Sequence, residues 1–512
     1  MSVLAFPTAV GYGKNSVGGR NGKVIFVTNL NNSGIGSLRE AFESSGARII
    51  IPLVGGRVNI TSSIQVTNPY VTYAGQVGVG DGLMLTKEGQ NKPILEIKTH
   101  DVIIRHLKIR YAETYLNDSS ADSLRIIGKN AHDVIIDHCS FSWSPDGNVD
   151  VTQGAYNVTI QNSILHQCLA DEKNSLNKYQ VNRITYYNNV FSSTEQRNPA
   201  IASSSPNTDN EYFDDPNMHP EFEVVNNVIF RFNYATTFSR EYKAKLNWIG
   251  NRLLMEGNKR RGLQSANFKT INKADADDRV QIYMFGNTDD KWRTSITTPT
   301  NWDEEFSLSQ GTQGSAFENN PPKGWKEGTN GIYFRIPKQF WRLTPHKTPI
   351  ISDGNTISNA GTFGNEVLWN SLKDTVGASL PNRDSVDDEV VTIINSYITD
   401  YDKARISKQY PQKDTNGSNT FPIIKSGTPP TDTNGDGIPN AWETANMPSG
   451  ATANDVAPNG YTWIENYINN QTLSKDDLDK MKPTLKKQKT KKYLTYGFLA
   501  VVGYLLYKNF KK

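Results

Sequence analysis

One short pattern recurs through the first half of the chain and limits what it can fold into. The segments "DVIIRHLKI" (101–109), "DVIIDHCSF" (133–141), "NVTIQNSIL" (157–165), "RITYYNNVF" (183–191), "FEVVNNVIF" (222–230) and "KLNWIGNRL" (245–253) each alternate β-branched or apolar residues with polar ones, then place His, Asn or Asp at a similar offset. Each reads as a short strand followed by a sharp turn. Such strands cannot bury their apolar face alone. Most recur after about 22 to 32 residues with no helix-length apolar stripe between them, which predicts stacked coils of an all-β parallel β-helix rather than a sandwich.

The polar offsets carry their own expectations. Asn188 with Asn189, Asn226 with Asn227, and Asn247 with Asn251 suggest Asn at equivalent turns, where it tolerates left-handed backbone. His106 and His138 fall at one offset of consecutive units and are expected to stack as an internal ladder, not to bind metal. Near the start, "SGIGSLREAFESSGARIIIP" offers Ser37 as an N-cap with Glu40 three residues on, so a short helix is expected to cap the open end of the solenoid before a strand at Arg48–Pro52.

Charge excludes one class of partner. Of 55 basic and 52 acidic residues, eleven Lys and three Asp lie in 475–512, leaving 44 and 49 in the body before it. A weakly acidic body argues against nucleic-acid binding, which needs a basic stripe. The two cysteines, Cys139 and Cys168, are too few for a disulfide scaffold and are expected as buried thiols. The opening "MSVLAFPTAVGYGKN" has neither a basic n-region nor a long apolar run, so no ordinary secretion signal is expected.

Two carboxylates four residues apart, Asp146 and Asp150 in "SPDGNVDV", precede a strand-like run. On spacing alone they fit turn-capping work as well as metal ligation. The context decides more. The opening "AFPTAVGYGKNSVGGRNGKVIFVTNLNNSGIGSLREA", then "IIDHCSFSWSPD", "YYNNVFSSTEQRNP", "VGASLPNRDSVDDEVV" and "DTNGDGIPNAWE" resemble, in this order, the polysaccharide lyases of pectate lyase type, over roughly Ala5 to Asn470.

That resemblance implies a right-handed parallel β-helix and β-elimination on an acidic, uronate-containing polysaccharide. It implies Ca²⁺ as cofactor, a hard ion with six to eight oxygen ligands in flexible geometry, stabilising the charge that develops when the proton beside a uronate carboxylate is removed. Asp146 and Asp150 would be two ligands and Asp122, on the preceding coil, a third, with Asp118 a weaker candidate. Arg197 in "EQRNP" matches the arginine that abstracts the proton, a task that needs desolvation and neighbouring cations because a guanidinium normally keeps its proton. At the surface it would instead pair with Glu195 or Asp171. The helper lysine has no aligned counterpart; Lys173 is taken as the candidate, with Lys178 nearby. The family pattern has a second arginine five residues after the catalytic one, where this chain has Ala202. A glycan- or receptor-binding protein on a lyase-like fold is therefore the alternative to an enzyme.

A second calcium signal lies further along the chain. "DTNGDGIPNAWE" (432–443) fits D-x-[DN]-x-[DN]-G-x5-E with Asp432, Asn434, Asp436, Gly437 and Glu443, and the Ile438 carbonyl at loop position seven completes an EF-hand-like set. Beyond it, "KKQKTKK" (486–492) leads into the uncharged "YLTYGFLAVVGYLLY" (493–507). Fifteen residues span ~22 Å as a helix; carried to Phe510, with Lys508 snorkelling, the segment is expected to cross a thin or locally thinned membrane.

The expected organisation is a β-helix over 1–290, a loop-rich peripheral region with helical patches over 291–425, a calcium module over 426–470, a basic linker over 471–492 and an anchor over 493–510. A lyase-like body on a membrane tail suggests a virion spike of a membrane-containing virus, meeting host surface glycans and other virion or surface proteins. A tail-anchored bacterial protein exported by another route is the competing setting.

Overall fold

Strand after strand in the chain pairs not with its neighbour in sequence but with the strand one coil later. In the computed structural model, which describes residues 3–87, 92–111, 121–169, 173–194, 196–202, 219–232, 236–239, 244–254, 263–266, 280–285, 287–289, 308–309, 333–334, 345–353, 366–399 and 420–470, the strands form three parallel sheets of ten, eight and nine strands. From Arg48–Pro52 to Leu263–Ala266 each coil contributes to all three sheets in turn, which is the parallel β-helix that the repeat predicts.

Register explains the repeat chemically. Val102, Val134, Val158, Ile184, Phe222, Leu246 and Ile282 are successive register partners in the ten-stranded sheet, and all are buried. Each coil thus extends one apolar stack, and a buried side chain of this kind contributes about 1.5–3 kcal/mol relative to an exposed one.

The bend from the ten-stranded to the nine-stranded sheet accounts for the polar offset. His106, His138, Asn162, Asn188 and Asn226 all hold left-handed backbone, with φ of 56°, 49°, 50°, 56° and 56°. Inside the bend the Asn189 amide donates to Asn227 Oδ1 at 3.1 Å, Asn227 to Asn251 at 3.0 Å and Asn251 to Asn287 at 3.1 Å. These bonds satisfy buried polar groups that water cannot reach. Asn247 departs from expectation: it lies on the Ala244–Ile249 strand and holds the His346 carbonyl and Thr348 instead. His106 and His138 stack with ring centroids 4.9 Å apart, and His100, His132 and Tyr156 form a second stack at 4.8 and 4.7 Å. Cys139 and Cys168 are free and buried.

At the N-terminal end the helix Leu38–Glu43 buries Leu38, Ala41 and Phe42, and the Ser37 side chain accepts from the Glu40 amide. Arg48, at the start of the strand Arg48–Pro52, donates to the carbonyls of Ala41 and Phe42 at 3.0 and 2.6 Å. A buried cation thus ties the C-terminal end of the cap helix, where carbonyls lack partners, to the first coils. The glycine-rich opening lies against the ten-stranded sheet, and a Cβ on Gly13 would stand 2.3 Å from the Val134 carbonyl oxygen.

The described part of the expected peripheral region packs on the helix. Trp369, Leu372, Val376, Val390, Ile394 and Tyr397 cover Ile164, Val190, Val228, Phe230 and Leu254. Buried Arg110 anchors this layer to Asp384 at 2.8 Å and Asp387 at 2.7 Å, which gives the "RDSVDDEVV" motif a packing role. Met1–Pro429 form one compact unit and Pro430–Lys512 another. The second contains the helices Asn440–Asn446 and Trp463–Ile468, the latter opened by a Thr462/Glu465 capping box. No helix among the described residues is long and apolar enough to cross a membrane; the linker 471–492 and the anchor expected at 493–510 lie outside the described residues.

Candidate active site

The outer face of the eight-stranded sheet carries the expected residues. Asp150 lies on the strand Val149–Thr152 and pairs in register with Arg125 on Leu124–Ile127. Asp122 sits just before the strand Leu124–Ile127, and Asp146 lies in the turn from the strand Ser140–Ser142 to the strand Val149–Thr152 of one coil. The three carboxylates approach one another within 4.8 Å and all are buried. Arg125, Asp146, Asp150, Lys173, Lys178 and Arg197 line one cleft of about 320 Å³. Asp118 lies outside the described residues.

Each acidic group has defined partners. Asp122 Oδ2 accepts from Arg125 Nε at 2.7 Å and is also held by Arg125 Nη2, while Asp122 Oδ1 accepts from the Gly147 amide at 3.1 Å. Asp150 Oδ1 accepts from the Leu176 amide at 3.0 Å. Lys173 Nζ stands 3.3 Å from Asp146 Oδ1. A Cβ at residue 147 would meet Asp150 Oδ1 at 2.6 Å and Asp122 Oδ1 at 3.1 Å, so only glycine leaves the space between the carboxylates open.

Burial, then Asp150, drives Asp122 well above the usual carboxylate range. Burial and Asp146 push Asp150 up to about 6, against the pull of Arg125 and Arg197. Three buried like charges at this separation repel one another, and an oxygen-only donor set of this kind suits a hard divalent cation such as calcium. Asp122, Asp146 and Asp150 therefore fit the ion that the sequence implies. Arg197 is half-buried with left-handed backbone at φ 62°, and its carbonyl accepts from the Ser175 amide at 2.8 Å. Its expected surface partners, Glu195 and Asp171, lie outside the described residues.

Comparison with known proteins bears on the chain as a whole. Residues 10–246 match the family model described as pectate lyase. A probable pectate lyase C of Aspergillus flavus is 29% identical over 480 residues, covering 91% of this chain and 94% of that protein. The chain is a pectate lyase-like enzyme. A probable pectate lyase C of Aspergillus fumigatus is 35% identical over 209 residues, 41% of this chain and 47% of that protein. Among solved structures, the thermostable pectate lyase PL 47 overlays with a TM-score of 0.40 at 14% identity, covering 65% of this chain and 95% of its own.

Three contributors to the lyase-like cleft were not singled out from the sequence, or only faintly. Arg125 occupies the polar position of the alternating strand "SLRII", and aligning consecutive coils would have set it beside Asp150. Gly147 reads in sequence only as a turn residue. Lys178 is in register with Ala202 on the next strand, so a cation that lines the cleft stands one rung from the position lacking the second arginine.

The distal loop is built separately, in the second unit. Asp432 accepts from the amides of Gly435 and Gly437, both at 2.9 Å, and Asp436 accepts from the Ile438 amide at 3.0 Å. The Asn434 side-chain amide reaches Asp436 and Glu443, both at 3.1 Å. The loop thus gathers Asn434, Asp436 and Glu443 about one point. Gly435 and Gly437, at φ 69° and 92°, make the turns that allow it.

Proposed function

We propose that the chain cleaves an acidic, uronate-containing polysaccharide, pectate in the first instance, by calcium-dependent β-elimination. The observation that carries this reading is the cleft in which Asp146 and Asp150, with Asp122 buried beside them, meet four basic side chains. Asp122, Asp146 and Asp150 would hold the ion. Bound there, calcium supplies positive charge to a substrate carboxylate and makes the adjacent proton more acidic. Arg197, once desolvation and the neighbouring cations have made it give up its own proton to water, takes that proton; the bond to the 4-linked sugar breaks, its departing oxygen is protonated by water, and a carbon–carbon double bond forms in the remaining ring. Lys173 and Lys178 offset charge on the substrate.

Ala202 supports a second reading, in which the cleft binds an acidic glycan without turnover. The test is direct: the full chain is incubated with polygalacturonate and calcium, and unsaturated products are followed by ultraviolet absorbance. Product formation that a chelator stops supports the lyase. Binding of the polymer without product supports the glycan-binding reading.

We further infer that Asp432, Asn434, Asp436, Glu443 and the Ile438 carbonyl hold a structural calcium, and that 493–510 tether the protein to a membrane, a membrane-containing virion being one setting and a bacterial cell the other. The tether rests on the sequence of that segment, an uncharged run flanked by lysines.

A further inference from the structure

Arg125 touches the carboxylate trio yet belongs to none of the motifs that point to it. Its guanidinium engages Asp122 Oδ2 through Nε and Nη2, and its strand position lies between Glu96 on one side and Asp150 on the other. We propose that Arg125 is a resident competitor of calcium for Asp122, so that the cleft loads the metal strongly only when an anionic sugar enters with it. This rests on the calcium-dependent reading above.

The hydrogen bonds carry the first step of the argument. Asp122 is fully buried, with one oxygen committed to Arg125 and the other shared with the Gly147 amide, so an incoming ion finds only part of its coordinating capacity free. Charge carries the second. Against the three carboxylates stand Arg125, Lys173, Lys178 and Arg197 around the same cleft, and a divalent ion therefore enters a site with no net negative charge. A uronate carboxylate tips that balance toward the ion and at the same time offers the guanidinium a new partner. Because Asp122 and Asp150 hold the Arg125 guanidinium in its charged form against the cost of its burial, the competition persists wherever the three carboxylates are ionised. Arg125 acts through Asp122, so its role is a positioning one.

The test is calcium calorimetry at alkaline pH on full-length chain carrying Asp432→Ala and Asp436→Ala, so that the distal loop is silent. The titration is made without and with excess galacturonate monomer, which has no glycosidic bond to break. Galacturonate should tighten calcium binding at least severalfold in this background. Arg125→Gln should tighten calcium binding about tenfold without the sugar, the scale expected for removing one charge near a divalent ion under water-like screening. It should also shrink the effect of the sugar, and Arg125→Lys, which keeps the charge, should stay near the parent. If Arg125→Gln folds and binds calcium no more tightly than the parent, or if galacturonate leaves the parent's affinity unchanged, the proposal is overturned. Loss of the parent's calcium signal on adding Asp150→Asn places the ion in the cleft. If that signal is absent from the start, the calcium-dependent function itself fails, and the competition with it.

Discussion

Lys178 and Ala202 are register partners on adjacent strands of the eight-stranded sheet, so the cleft keeps a cation one rung away from the position where the family pattern has a second arginine. Lys178→Met should lower kcat on polygalacturonate by about 10²-fold, the usual cost of removing one group that stabilises developing charge, with a smaller change in KM. Lys178→Arg should retain most of the rate. Initial rates of unsaturated product formation decide it; a Lys178→Met enzyme with parental kcat would remove Lys178 from the reaction.

Asp150 gives a pH signature with a defined sign. Burial and Asp146 raise it to about 6, so without calcium the folded state holds this proton more tightly than the unfolded chain, and the group's contribution to stability falls as pH rises through that value. In chelator, Asp150→Asn should therefore unfold at a higher temperature than the parent at about pH 8, with most of that difference gone once the pH falls to the ordinary carboxylate value near 3.8. Saturating calcium at the higher pH should reverse the order, because only the parent gains binding energy at this site. Scanning calorimetry reads both, and a variant indistinguishable from the parent in chelator at both pH values would mean that the three carboxylates do not strain one another.

In the distal loop, Asp432→Ala with Asp436→Ala should abolish calcium binding, because too few charged oxygens remain to offset dehydration of the ion. Trp442 lies 6.5 Å from Trp463 and 5.6 Å from Tyr467, ring centre to ring centre, so its fluorescence should report the loosening. Turnover should remain within about twofold of the parent, since surface changes away from a reacting site are usually small in effect. A fall in rate comparable to that of Asp150→Asn would contradict the division into a catalytic and a structural ion.

The membrane tether predicts a partition experiment. Five lysines precede 493–507 and three follow, and truncation after Leu485 should release the protein from membrane or detergent while leaving its activity intact. Val501→Lys, near the middle of the segment, should cost ~2.5–3.5 kcal/mol of insertion and shift much of the protein to the aqueous phase. Full-length chain that stays in the aqueous phase without detergent would remove the support for a tether.

The legible part of this protein is the part that repeats. Alternation and the recurring polar offset announced stacked coils because each coil must present the same apolar face inward and the same left-handed bend at one corner, and His106, His138, Asn188 and Asn226 sit at that bend. The cap helix was equally local: Ser37 and Glu40 are three residues apart and act within one turn. Asn247 was misplaced because an Asn on a strand and an Asn at a bend look alike when only spacing is counted.

Sequence by itself determined the solenoid, the cap and the residues Asp122, Asp146, Asp150 and Arg197, since periodicity and motif order are properties of the chain. Only the tertiary structure decided how those residues meet. Arg125 comes beside Asp150, Lys178 comes beside Ala202, and Gly147 leaves the gap between Asp122 and Asp150, because stacking sets residues about 25 positions apart on neighbouring strands only ~4.8 Å from each other. The docking of Asp384 and Asp387 on Arg110, 274 and 277 residues away, was likewise unreadable in the chain: a buried ion pair between distant segments has no periodicity to betray it.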